Sequence, residues 1–173
     1  GSMSHKSLTT TAPTFTIMMG VPAAGKSTVA NKMFGEDQFI DCDAIKQSHP
    51  DYDPTNPQAL HAWSKEIEAH MISDAFANPT GNVVYDTTGT NSDKVLNYLA
   101  SATNAGYKAQ VVFVTVPEAE SLRRNSLRPR VVPEWVLREK FTQITESAKI
   151  ISETGVPFQT VDNSVVDENL VGC

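Results

Sequence analysis

Cysteine is scarce in this chain: among 173 residues only Cys42 and Cys173 carry a thiol. Two cysteines build no disulfide framework, which excludes the small stapled folds of secreted proteins and points to a reducing compartment. Each reads as an inert thiol. Long apolar runs are missing too. No stretch reaches the roughly 20 residues that a membrane-spanning helix needs, and no signal-peptide pattern is read at the start. Basic residues are the minority, 14 Lys and Arg against 20 Asp and Glu, giving a formal net charge of -6. That balance argues against a broad nucleic-acid-coating surface while leaving room for a local basic groove. Repeats, low-complexity blocks and linkers are absent, so a second domain is not expected. The length suits one domain with a sizeable core. The expected division is a tag scar "GSM" with a loose leader over residues 1–14, one domain over 15–163 and an acidic tail over 164–173.

What is present is an alternation of apolar strands and helices. "FTIMMG" reads as a buried strand entering a glycine turn, and "KSTVANKMF" as a helix ended near Gly35. "QFIDC" is a second strand. Pro50, Pro54 and Pro57 make residues 49–58 an ordered loop. Leu60, Trp63, Ile67, Met71, Ile72 and Ala75 then recur at helical spacing up to Pro79. "NVVYD" is a third strand, followed by a helix capped by Asn91 or Ser92 and stopped by Gly106. "YKAQVVFVTV" is a fourth strand, "EAESLRRNSLR" a short basic helix, residues 133–155 a long helix opened by Pro133, and "PFQTV" a fifth strand. Such alternation predicts an α/β fold, a parallel sheet of about five strands with helices on both faces.

Residues 20–28, "GVPAAGKST", match G-x-x-x-x-G-K-[ST] between a strand and a helix, the context that motif requires. Gly20 and Gly25 are expected to take backbone angles closed to side chains. The loop Gly20, Val21, Pro22, Ala23, Ala24 and Gly25, with Lys26, Ser27 and Thr28, would then cradle a nucleotide's phosphates on backbone amides and a helix N-terminus. Lys26 would reach the β- and γ-phosphates and Ser27 would offer its hydroxyl to Mg²⁺. The fold expectation sharpens to a P-loop NTPase three-layer sandwich.

The rest of the motif set discriminates between reactions. A switch GTPase carries N-K-x-D, and "NKMF" at Asn31 lacks the Asp. Phosphoryl transfer needs an oriented acceptor hydroxyl relieved of its proton. Asp43, in "FIDCDAIKQSHPDYDP", is placed to do this as base, with Lys46 one turn on to grip substrate anions. The competing reading makes Asp43 a helix N-cap; Asp41 reads as structural. Asp86 ends the third strand, where a carboxylate orients Mg²⁺-bound water, and Thr87, Thr88 and Asn91 are candidate substrate contacts. "DTTGT" alone also matches an aspartyl-phosphate signature, which the adjacent P-loop makes unnecessary. "RRNSLRPR" holds Arg123, Arg124, Arg128 and Arg130. Arg124 and Arg128, four apart, suit one face of a mobile lid helix that closes over the phosphates, against the plainer reading of a solvated basic face. A metal site in "HPDYDP" is a poor fit, since further ligands are missing. His61, Trp63 and His70 read as packing or pocket wall.

Taken together, these segments resemble the polynucleotide-kinase and zeta-toxin branch of P-loop kinases. "YDTTGTN", "VPEAESLRRNSLR" and "VPEWVLREKF" follow the order and spacing of the kinase domain of the T-even phage polynucleotide kinases, and "IDCDAIKQSHPDYDP" is similar to the zeta toxins, kinases of UDP-activated amino sugars. The resemblance implies Asp43 as general base, Lys26 and Ser27 as ATP and Mg²⁺ contacts, Asp86 as an acidic site residue and Arg124 and Arg128 as lid arginines. Two departures stand out. Lys46 replaces the family's phosphate-binding Arg, a weaker bidentate partner. The toxins' further acidic residue on the long helix lacks a clean match, with Glu68 and His70 nearby. The leading expectation is an ATP- and Mg²⁺-dependent kinase acting on a polynucleotide 5′-hydroxyl. A hydroxymethylated base such as 5-hydroxymethyluracil in phage DNA, or a UDP-sugar, are alternative acceptors. A non-catalytic ATP-binding module is the reading from another class. Its expected setting is the cytoplasm of a bacterium or a phage-infected host.

Overall fold

Strand β1 (Thr14–Gly20) is buried from Phe15 onward without a break. Successive strand residues point to opposite faces, so continuous burial means that both faces of the sheet are covered. The computed structural model describes residues 12–129 and 131–164; most of the expected leader and tail, together with Cys173 and Arg130, lie outside the described residues. Along the chain follow α1 (Lys26–Phe34), β2 (Gln38–Asp41), α2 (Cys42–Gln47), a 3₁₀ turn (Pro57–Leu60), α3 (His61–Ala77), β3 (Val83–Asp86), α4 (Ser92–Ala105), β4 (Lys108–Thr115), α5 (Glu118–Ser126), α6 (Glu134–Ser152) and β5 (Phe158–Asp162).

The five strands form one sheet in the order β2-β3-β1-β4-β5, and every pairing is parallel. The expected sheet is therefore present. Central β1, β3 and β4 supply the core, with Phe15, Ile17, Met18, Tyr85, Val112 and Val114 almost fully shielded, whereas β2 and β5 are the edges and partly exposed. Because β1 sits between β3 and β4, the chain must leave it for the far edge and later step back across it. The carboxyl ends beside such a reversal are where open α/β sheets bind ligands.

One element boundary and one buried helix face differ from the sequence reading in ways that touch the site. Helix α5 ends at Ser126, so Arg128 lies in the turn beyond it and does not share a helix face with Arg124. The Asn125 side chain causes this: its Nδ2 donates to the Val132 carbonyl at 2.8 Å and its Oδ1 accepts from Val132 N at 3.1 Å, which closes the turn. In the first half of α3 the buried positions are Ser64 and Glu68, not the apolar Trp63, and Leu60 falls in the 3₁₀ turn before the helix. Polar partners explain the choice: Ser64 Oγ lies 3.0 Å from the Cys42 thiol, and Glu68 accepts from Tyr85.

Candidate active site

The loop after β1 takes the shape its sequence demands, with one unexpected point of strain. Gly25 stands at φ +80, and a Cβ there would lie 2.6 Å from Asn163 Nδ2. Gly20 needs space, not angle: its φ is ordinary, but a Cβ would meet the Val114 carbonyl at 3.0 Å. Ala23 holds φ 59, a left-handed conformation that side chains disfavour. The loop is braced from outside. Asn163 donates to the Ala24 carbonyl at 2.8 Å, Ser121 donates to the Pro22 carbonyl, and Arg124 donates to the carbonyls of Ala24 at 3.3 Å and Asn163 at 2.9 Å. Glu120 holds Arg124 and Arg123 in turn, and those two guanidiniums draw its carboxyl down to about 2.

Gly20 through Ser27 line a cavity of about 550 Å³, together with Thr88, Arg124, Arg128, Lys140 and Ile144. Thr28 is not among the lining residues. Beside it a second cavity of about 560 Å³ is lined by Lys26, Asp41, Asp43, Lys46, Lys65, Asp86, Thr87, Thr88, Asn91, Lys94 and Lys140, with Cys42, His61, Tyr85 and Tyr98 in its wall. Sequence residues that are far apart, from β2–α2, β3–α4 and the P-loop, thus converge on one space.

Asp41 N-caps α2, its Oδ1 accepting from Asp43 N at 2.9 Å. The cap is therefore Asp41, and Asp43, in the first helical turn, keeps an exposed carboxylate facing the cavity. Asp41 pairs with Asp86 in the β2–β3 register. Burial first, and the Asp86 carboxylate second, push the Asp41 carboxyl above its usual range. Lys26 bridges the group: Nζ lies 2.6 Å from Asp86 Oδ1 and donates to the Thr87 carbonyl at 2.8 Å. Ser27 and Asp86 offer the hard oxygen donors that Mg²⁺ prefers. Gly89, at φ +79, has no room for a side chain because Met19 lies 2.7 Å from where its Cβ would be. Asn91 spends its side-chain oxygen capping α4, accepting from Lys94 N at 3.1 Å.

Lys46 is 6% exposed and has no ion-pair partner among the described residues, yet its ammonium is not among the sealed, unpartnered buried atoms. Its stem is buried and its head opens into the cavity. Among the described residues five lysines line that cavity against three aspartates; with Lys65 paired to Glu68 at 3.3 Å, a local excess of positive charge still remains in an acidic chain. Lys65, Lys94 and Lys140 are the cations that sequence reading missed. His49 and Asp53 belong to the turns after α2: His49 Nδ1 accepts from Asp51 N at 2.9 Å, its ring stacks edge-on with Trp63, and Asp53 accepts from Thr55.

The family model for zeta toxins matches residues 2–170. Among curated proteins, none matches the sequence. Solved structures share the fold. The PezAT toxin–antitoxin system of Streptococcus pneumoniae superposes with a TM-score of 0.58 at 18% identity, over 88% of this chain and 68% of that one. The AvrRxo1-ORF1:-ORF2 complex with ATP gives 0.66 at 17% identity over 83% of this chain and 50% of that one. A gluconokinase from Sinorhizobium meliloti 1021 gives 0.56 at 18% identity, over 87% and 82% of the two chains. The chain thus spans about half of the AvrRxo1 protein it matches.

Proposed function

This chain belongs to the zeta toxin family, and from that premise we propose that it is an ATP-dependent phosphotransferase whose acceptor is a hydroxyl on a phosphate-bearing nucleotide. The carrying observation is the pair of side chains in the second cavity: Asp43, freed from capping by Asp41, and Lys46, buried along its stem with its ammonium facing inward. A base and an anion grip one turn apart suit a molecule that has both a reactive hydroxyl and a phosphate. The lysine excess supports the same conclusion, since a neutral acceptor gains nothing from it.

In this reading the loop from Gly20 to Ser27 holds the nucleotide's phosphates, and Lys26 moves between Asp86 and the γ-phosphate. Ser27 and Asp86 would hold Mg²⁺, which supplies charge neutralisation at the phosphates. Asp43 orients the acceptor hydroxyl and takes its proton. Arg128, in the turn after α5, adds positive charge over the phosphates, while Arg124 secures the loop that carries them. Thr87, Thr88 and Asn91 shape the acceptor side.

A UDP-linked sugar, the acceptor class that the zeta-toxin resemblance implies, fits a cavity of about 560 Å³. A second reading, a polynucleotide 5′-hydroxyl, draws support from one feature. Asn91, Lys94 and Tyr98 also line an adjoining hollow of about 430 Å³ along α4, which would seat a longer chain. The test is transfer of labelled γ-phosphate from ATP to a panel of UDP-sugars, 5′-hydroxyl DNA and RNA oligomers, and hydroxymethyluracil DNA. Transfer to a UDP-sugar alone decides for the first reading and transfer to oligomer ends for the second. ATP binding with no transfer to any of them removes the enzyme reading.

A further inference from the structure

Lys140 sits on α6, three residues after Leu137 and four before Ile144, both buried. Those spacings place it on the helix face that carries the core stripe Leu137, Ile144, Ala148 and Ile151. A lysine on such a stripe has no place against apolar packing, because an ammonium taken out of water without a partner is strongly disfavoured. Phe141 carries the core packing past this turn, and Lys140 flanks the stripe on its solvent side. Lys140 is exposed and lines both the nucleotide cavity and the acceptor cavity; Lys26 and Thr88 are the other residues shared by the two.

The shared wall matters because the group that moves must pass from one space to the other. Lys26 is already engaged by Asp86 and the Thr87 carbonyl. On α6 itself, Arg138 is engaged by Glu118 and Glu134. Lys140 has no hydrogen-bond or ion-pair partner among the described residues, so its charge is available to whatever occupies the passage.

We propose that Lys140 is a catalytic residue that binds the oxygens of the transferring phosphoryl group, supplying positive charge from α6 to complement Lys26 from the P-loop. This rests on the phosphotransferase reading. As the bond from the acceptor oxygen to phosphorus forms, the bond from phosphorus to the β-phosphate bridging oxygen breaks. The electron pair stays on ADP, and the acceptor's proton passes to Asp43. Lys140 keeps its own proton throughout and acts through charge, where the loose transition state spreads negative charge over the phosphoryl oxygens.

The experiment uses the full chain as wild type, Lys140→Ala and Lys140→Arg. Displacement of a fluorescent nucleotide with Mg²⁺ present measures affinity for ADP and for a non-hydrolysable ATP analogue. Loss of γ-phosphate from ATP, to water or to an acceptor from the panel above, gives kcat. Lys140→Ala is expected to leave ADP affinity within about twofold, weaken the ATP analogue about tenfold and lower kcat about 100-fold or more; Lys140→Arg keeps most of both. An unchanged affinity ratio with unchanged kcat overturns the proposal, and so does a kcat that survives although the affinity ratio falls. If the wild type binds ATP but releases no γ-phosphate at all, the phosphotransferase reading fails and the catalytic role with it. The affinity ratio then still reports whether Lys140 contacts the terminal phosphate.

Discussion

Lys26 Nζ stands 2.6 Å from Asp86 Oδ1, so the P-loop lysine is ion-paired to the carboxylate at the end of β3. The pair is mostly shielded, with side chains 20% and 11% exposed, and Asp86 has Asp41 as its register neighbour. Removing Lys26 alone leaves two carboxylates facing each other without their shared cation. Lys26→Ala should therefore cost about 1–3 kcal/mol of stability, and adding Asp86→Asn should recover about 1 kcal/mol or more of that loss without restoring nucleotide binding. Urea midpoints of the two single variants and the double variant measure this. Simple additivity would show that the pair is uncoupled.

Asp43 and Arg128 are assigned different tasks, which kinetics can separate. Asp43→Asn should lower γ-phosphate transfer by about 10²–10⁴-fold and leave ATP affinity nearly intact, as expected for loss of a base. Arg128→Ala should reduce kcat by up to about 10³-fold, and more than it reduces nucleotide affinity. Equal losses in both quantities would make Arg128 a binding residue only.

The Asp41 carboxyl is raised by burial and by Asp86. The folded chain thus holds that proton more tightly than the unfolded one does. The resulting stability is present below the ordinary carboxylate value near pH 4 and is lost as pH rises through the raised value. Asp41→Asn keeps an oxygen for the Asp43 amide and removes the charge. It should melt above wild type at pH 7 and level with it below about pH 4. Asp41→Ala also loses the cap and should be about 1 kcal/mol less stable than Asp41→Asn at pH 7. Thermal melts at the two pH values test both, and Asp41→Asn melting below wild type at pH 7 would contradict the repulsion.

Tyr85 donates a buried hydrogen bond of 2.7 Å to Glu68 Oε1, while Glu68 Oε2 is sealed in without a partner. Burial and the Glu68 carboxylate both push the Tyr85 phenol above its usual range, so it remains a donor. Tyr85→Phe should cost about 1–3 kcal/mol, because it leaves the buried Glu68 carboxylate only the longer contact to Lys65 Nζ at 3.3 Å. Combining it with Glu68→Met should restore most of that loss, since both buried partners become apolar and the Lys65 ammonium, 37% exposed, turns to water. Guanidinium unfolding of the single and double variants decides it.

Much of the site was legible where its logic is local. The glycine-rich loop after β1 follows from spacing, and Asp86 at the end of an apolar strand follows from the pattern "NVVYD". Which of Asp41 and Asp43 caps α2 was not legible: two acids two residues apart offer equivalent caps until the end of β2 is set by its pairing with β3. The reach of α5 toward Arg128 was misread because Asn125, whose partner Val132 is seven residues away, ends the helix early.

From the chain alone come the glycine-rich strand–loop–helix and the alternation that makes a parallel sheet, since backbone angles, glycine and hydrophobic period act within a few residues. Only tertiary structure decided that Lys46, Lys65, Lys94 and Lys140 share one cavity with Asp43. They come from four separate helices, and the order β2-β3-β1-β4-β5 carries those helices together. No local rule fixes that order, because it depends on which strands bury one another best.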